Sequence, residues 1–232
     1  MQMKIIFLNT WHGRLREPFL AYLQEHLQDT DIFCFQEAYD SMLTLSRDVL
    51  KGYEEMVARK NVTDDVNEVC PQAIYVKRGL PVLSSGTIFE TQKGYGLGLY
   101  VEVGYNNKSV SVCNFYGLSR PVDKLDDPNR VLQSEALIEF FKGKNPAIIG
   151  GDFNLLPNTK SIELFEEHGY KDLIKEFKIV TTRNEFAWEL YPDNKQYHSD
   201  YVFVSPDCTV KKFSVPNDKI SDHLPLEVEV TP

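Results

Sequence analysis

The sequence predicts a single α/β domain in which two β-sheets pack face to face with helices on the outside. Strand-length apolar runs are interleaved with helix-period segments along the whole of the 232-residue chain. No repeat, low-complexity segment or Pro/Gly/Ser-rich linker divides it, so one core serves the full length. A hydrophobic content of 42% and an aromatic content of 12% are those of a folded globular protein.

The first strand is MKIIFLN, ending at Asn9. The helix EPFLAYLQEHLQD follows, with Phe19, Leu20, Leu23 and Leu27 at helical spacing, and DIFCFQE makes a second buried strand ending at Glu37. DSMLTLSRDVL reads as a helix capped by Asp40 or Ser41. Short strands come next in YEEMVAR, QAIYVKR, PVLSSGTIF, GLGLYVEVGY and SVSVCNFYG, with NVTDDVNEV an exposed acidic loop between the first two. In DDPNRVLQSEALIEFFKGK, Asp127 is a natural N-cap, Pro128 suits the first turn, and Leu132, Ala136 and Phe140 form an apolar face. NPAIIGGD returns to a strand, SIELFEEHG is a helix with Gly169 at its end, and HSDYVFVS, CTVKKFSV and LPLEVEV complete the sheets.

A net charge of −9 argues against a sequence-blind DNA-coating role, which needs many phosphate-neutralising Lys and Arg. It is compatible with a hydrolase of phosphate esters, because clustered carboxylates can hold a divalent cation that supplies the positive charge. Cys34, Cys70, Cys113 and Cys208 are scattered without CxxC spacing and read as reduced thiols. The N-terminal apolar run is too short for a signal peptide, and no stretch approaches the length of a membrane span. The expectation is a cytoplasmic, monomeric protein.

Polar residues recur at the ends of apolar strands. Asn9, Glu37, Asp152 and Asn154 all sit at such ends; Asp200 lies in HSDYVFV, and Asp222 and His223 form SDH before the last strand. Each alone has a dull explanation as a turn or cap. As a set, carboxylates and amides without Cys suit a hard cation, Mg²⁺ or Mn²⁺. The His beside Asp222, with another Asp to orient it, suits proton handling or phosphate binding.

The order LN, QE, GDFN, DYVFVS, SDH resembles the endonuclease/exonuclease/phosphatase superfamily, from Asn9 to His223. The resemblance implies a four-layer α/β sandwich and metal-dependent hydrolysis of phosphate esters. It implies Glu37 as main metal ligand, assisted by Asn9 and Asp222. It gives Asp152 and Asn154 to the attacking water, and His223, paired with Asp200, to the phosphate. Whether Asp152 or His223 is the general base stays open. Tyr116 stands where many relatives carry His and would donate to the phosphate; Asn114 shares its face of the strand. Arg120, Lys124 and Arg130 form a basic cluster able to hold substrate phosphates.

In RNEFAWELYPDNKQYH, Trp188 and its neighbours Phe186, Tyr191 and Tyr197 either stack on substrate or pin a long loop as a small hydrophobic cluster. His12 reads as a surface imidazole. The leading function is a phosphodiesterase acting on nucleic acid. The alternatives are an enzyme for a small or lipid-derived phosphate and a non-catalytic domain that keeps the fold.

Overall fold

The computed structural model describes residues 2–61, 69–144 and 146–232; residues 62–68, the body of the acidic loop, lie outside the described residues. Two six-stranded sheets form the molecule. The first is built from β1 (Met3–Asn9), β2 (Ile32–Gln36), β3 (Tyr53–Ala58) and β4 (Gln72–Lys77), and the second from β5 (Val82–Ile88), β6 (Leu97–Tyr105), β7 (Lys108–Tyr116), β8 (Ala147–Asp152), β9 (Lys171–Asp172) and β10 (Asp200–Val204). The last strands, β11 (Thr209–Ser214) and β12 (Leu226–Thr231), return to the first sheet. The orders are β11-β12-β1-β2-β4-β3 and β5-β6-β7-β8-β10-β9.

Each sheet is antiparallel except for one central parallel pair, β1 with β2 and β7 with β8. Parallel neighbours need a crossover, and a helix supplies it in both cases: α1 (Arg16–His26) and α3 (Pro128–Phe141). With α2 (Asp40–Val49) and α4 (Lys160–Glu167), these helices cover the outer faces. Ile6, Leu8, Phe33 and Phe35 pack outward with Phe19, Tyr22, Leu23 and Met42. On the other side Phe165 of α4 stacks on Phe203 at 4.0 Å. The result is a four-layer α/β sandwich.

Two helices differ in detail from expectation. Tyr39 is the N-cap of α2, without a side-chain cap, and Asp40 is already helical. In α3 the Asp127 cap accepts from Asn129 N and Arg130 N as anticipated, but the buried face is Arg130, Gln133, Ser134, Leu137, Ile138 and Phe141, and Leu132 is half exposed. Buried polar residues disguise that face: Gln133 accepts from Gly96 N, and Arg130 holds a loop. The chain also contains the short α5 (Leu173–Glu176) and α6 (Glu185–Leu190), in stretches without a long apolar period. All four cysteines are buried and unbridged. No helix among the described residues is long and apolar enough to cross a membrane.

The sheets approach closely because Gly150 faces Phe7. A Cβ on Gly150 would stand 2.9 Å from three carbons of the Phe7 ring, which is itself fully buried. Side chains alternate along a strand, so Asn9, two residues after Phe7, and Asp152, two after Gly150, face the same inter-sheet space. Gly150→Ala should therefore destabilise the fold by about 1–3 kcal/mol through overpacking. Thermal denaturation of the variant measures this, and an unchanged midpoint would contradict the close approach.

Candidate active site

The carboxyl ends of β1, β2, β7 and β8 lie together, and the apolar core ends there in a polar layer. Asn9 closes β1. Its Nδ2 donates to Glu37 Oε1 at 3.2 Å and to Asp152 Oδ2 at 3.0 Å, while Oδ1 accepts from Trp11 N at 3.1 Å. That bonding fixes which way the amide points: it faces the carboxylates as a donor, with its oxygen engaged elsewhere. In this orientation the amide oxygen of Asn9, expected as a metal ligand, is turned to Trp11 N.

Glu37 follows β2 in a left-handed conformation, φ 54°. Oε1 takes a second bond from Tyr116 Oη at 3.0 Å. Oε2 is buried without a hydrogen bond, although His12 Nε2 stands 2.9 Å away. Burial pushes the Glu37 carboxyl up, but His12 and Asn9 outweigh it and hold the pKa below the usual range. Burial and Glu37 keep the Tyr116 phenol protonated, so it is a donor and it is spent on Glu37.

Asp152 ends β8 after Gly151, whose φ of 133° and contact with Phe115 O leave no room for a side chain. Its Oδ1 accepts from Asn154 N at 3.0 Å and its Oδ2 from Asn154 Nδ2 at 3.2 Å. Asn154 takes φ 55° to make both bonds. Burial, with Asp200 nearby, raises the Asp152 pKa despite His223, Lys124 and Arg183.

Asp200 pairs with Asp152 across β10 and β8. It accepts from His223 Nδ1 at 2.8 and 3.0 Å, and from the hydroxyls of Thr182 and Ser199 at 2.8 Å each. Burial pushes Asp200 up, but His223 and Arg183 prevail and its pKa is lowered. Burial and Arg183 push the His223 imidazole down; Asp200, Asp222 and Asp152 outweigh them and raise it. With Nδ1 donating to Asp200, Nε2 faces Asp152 Oδ2 at 3.8 Å. Asp152, Asp200 and His223 offer ligand atoms within 4.8 Å of one another and could hold a metal by proximity. The bonding of Nδ1 instead makes Asp200 and His223 a dyad aimed at Asp152.

Asp222, a second expected ligand, is occupied differently. Arg183 Nη2 donates to its Oδ2 at 2.8 Å, and Arg183 Nε to its backbone oxygen at 3.3 Å. Arg183 and His12 were missed as site residues. Arg183 sits in a loop with no periodic signal. For His12 the signal was present: it lies just beyond Asn9 in NTWHG, where Gly13 marks a left-handed turn.

The basic cluster separates. Arg120 and Lys124 line the pocket, and burial pushes Lys124 down to about 8. Arg130 is fully buried outside it, donating to the carbonyls of Leu118, Pro121 and Leu125. It shapes the loop that carries the other two. Asn114 lies beneath the site, donating to Phe35 O and Ala73 O and accepting from Gln36, so it ties the sheets together and does not reach the pocket. Trp188 lines the pocket edge, donates to Gln196 O at 3.0 Å and packs on Tyr197, which fits the loop-pinning reading. Phe186 stacks on Trp11 at 6.2 Å.

The sequence profile of the Endonuclease/Exonuclease/phosphatase family matches residues 6–223. The chain belongs to this family. Its members hydrolyse phosphoric esters and are generally metal-dependent. No curated protein matches the chain in sequence. Among solved structures it is similar to a mannosyl-6-phosphatase of Bacteroides thetaiotaomicron (20% identity, TM-score 0.78, 99% of this chain and 100% of that one). It is also similar to a family member from Bacteroides vulgatus (18%, 0.76, 100% and 99%) and to the human nocturnin catalytic domain (17%, 0.72, 99% and 93%). At these identities the likeness is one of fold.

The Arg183–Asp222 pair is almost fully buried. Arg183→Met leaves Asp222 as an unpaired buried charge and should cost about 3–5 kcal/mol of stability. The double variant Arg183→Met/Asp222→Leu should recover much of that loss in a denaturant titration. Equal losses in single and double variants would show that the pair is not the cause.

Proposed function

We propose that the protein is a divalent-metal-dependent phosphoesterase in which Asp152 takes the proton of the attacking water. The observation that carries this is the dyad of Asp200 and His223, aimed from 3.8 Å at Asp152 inside a pocket lined by Arg120, Lys124 and Arg183. Asp200 raises the His223 pKa and orients its ring, which suits it to donate to a phosphate oxygen and leaves the proton-accepting role to Asp152, whose pKa is also raised. Asn154 orients Asp152 through both of its oxygens, and Asn9 through Oδ2. Lys124, Arg183 and Arg120 supply cations for the remaining phosphate oxygens.

The residues fit a hard divalent cation. Glu37 Oε2 is a buried, ionised oxygen lacking a hydrogen bond, and a second carboxylate, Asp152, is tied to the same Asn9 amide. Tyr116 and Asn9 would hold Glu37 in place for the ion. Mg²⁺ or Mn²⁺ bound at Glu37 would polarise the phosphate and stabilise charge developing during attack.

A nucleic-acid phosphodiester is the substrate the sequence favours. A specific observation supports a compact ester as well: Gln196 and Asn194 both donate to Val122 O, joining two loops into a wall. The open pocket has a volume of about 370 Å³, the size of a small-molecule site. The likeness to a mannosyl-6-phosphatase agrees with this second reading.

Hydrolysis of bis(p-nitrophenyl) phosphate and p-nitrophenyl phosphate with Mn²⁺ or Mg²⁺ tests the proposal. Turnover should vanish in EDTA and fall at least about 10²-fold in Asp152→Asn. Full activity in that variant would refute the assignment of the base. Because Lys124 is protonated only below about 8, kcat/KM should fall as pH rises through that value. The break should be absent in Lys124→Arg, and its persistence there would assign it to another group.

A further inference from the structure

We propose that His12 is a direct ligand of the active-site cation, making a mixed nitrogen–oxygen site with Glu37 that suits Mn²⁺ better than Mg²⁺. The inference rests on the phosphoesterase reading above and adds a ligand and a metal preference to it.

Three observations converge on His12. Its Nε2 lies 2.9 Å from Glu37 Oε2, yet that oxygen has no hydrogen bond, so the two atoms are close without pointing at each other. Adjacent ligands on one cation stand this way. Two donors about 2.1 Å from an ion and at right angles to it are about 3.0 Å apart. An ordinary ion pair would instead align the N–H with the carboxylate.

The backbone is the second observation. Trp11, His12 and Gly13 all take positive φ, at 47°, 59° and 70°, and Glu37 does so at 54°. Left-handed conformation is costly for the non-glycine residues and persists where surrounding contacts enforce it. A solvent-screened ion pair is too weak to justify it, and the His12 side chain is 44% exposed. The third is the fastening of the two turns to each other. Thr10 N and Oγ1 donate to Gln36 O, and Oγ1 also to Glu37 O. The His12 ring rests on Tyr39 at 4.2 Å, and Ser41 Oγ donates to the His12 carbonyl. Both donor atoms are thus held on one rigid unit at the edge of the pocket.

Glu37 Oε1 is already held by Asn9 and Tyr116, which leaves Oε2 as the ligand atom facing His12. Asp222 is committed to Arg183, so His12 supplies a donor that the sequence pattern would have sought there. Mg²⁺ prefers an all-oxygen shell, whereas imidazole binds transition ions readily.

Pulsed EPR of the full chain with Mn²⁺ and no substrate tests this. Nitrogen-14 modulation from a bound imidazole is expected in the wild type and in His223→Gln, and is expected to vanish in His12→Gln. By calorimetric titration, His12→Gln should weaken Mn²⁺ binding about 10–100-fold and leave Mg²⁺ binding nearly unchanged. A thermal midpoint equal to the wild type shows that the variant is folded. Bound Mn²⁺ without nitrogen coupling in the wild type, or coupling that survives in His12→Gln, overturns the assignment while leaving the phosphoesterase reading intact. A protein that binds neither ion and hydrolyses neither ester overturns both.

Discussion

Mutual repulsion among Glu37, Asp152, Asp200 and Asp222 is the constraint around which the mouth of the two sheets is built. Carboxylates removed from water and placed together cannot all remain charged unless each is compensated. The chain compensates them one at a time. Glu37 has Asn9, Tyr116 and His12; Asp200 has His223 and two hydroxyls; Asp222 has Arg183. Asp152 is treated differently, with two amide side chains and a backbone N–H as its hydrogen-bond donors and His223 Nε2 standing off at 3.8 Å. Burial raises its pKa, whereas their partners hold those of Glu37 and Asp200 down.

Bringing these acids together is the work of topology. A strand, a crossover helix and a parallel strand place two carboxyl ends side by side, and the chain does this once in each sheet. Packing the sheets face to face then superimposes the two pairs. The Gly150–Phe7 contact sets how near they come, and Asn9 spans the remaining gap with one amide bonded to a carboxylate from each sheet. A bulkier residue at Gly150 would act on the site through that spacing as well as on the core.

The fold class was legible because strand-length apolar runs and capped helices announce themselves locally, and so were the strand-end acids, since a carboxylate ending a buried run is conspicuous. Partnership was less legible. Nothing in the spacing of Arg183 and Asp222 marks them as a pair, because loops bring them together. Arg130 and Lys124 look alike in sequence, yet Arg130 reaches from α3 to the carbonyls of the loop whose Lys124 lines the pocket. The α3 face was misread because Gln133 and Ser134 are buried polar residues, which a hydrophobic period cannot see.

The strand-end acids and the pocket wall are held in place by different parts of the molecule. The acids stand on strand ends fixed by the core. The cavity's wall is a loop held from below by Arg130 and from above by Gln196 and Asn194, which converge on the single carbonyl of Val122. A substrate large enough to need more room has to break those exposed bonds, which are individually weak. It need not disturb a buried carboxylate. The pocket wall is accordingly adjustable, whereas the placement of the acids is not, and changes in that loop can reshape the pocket while the strand-end carboxylates stay in place.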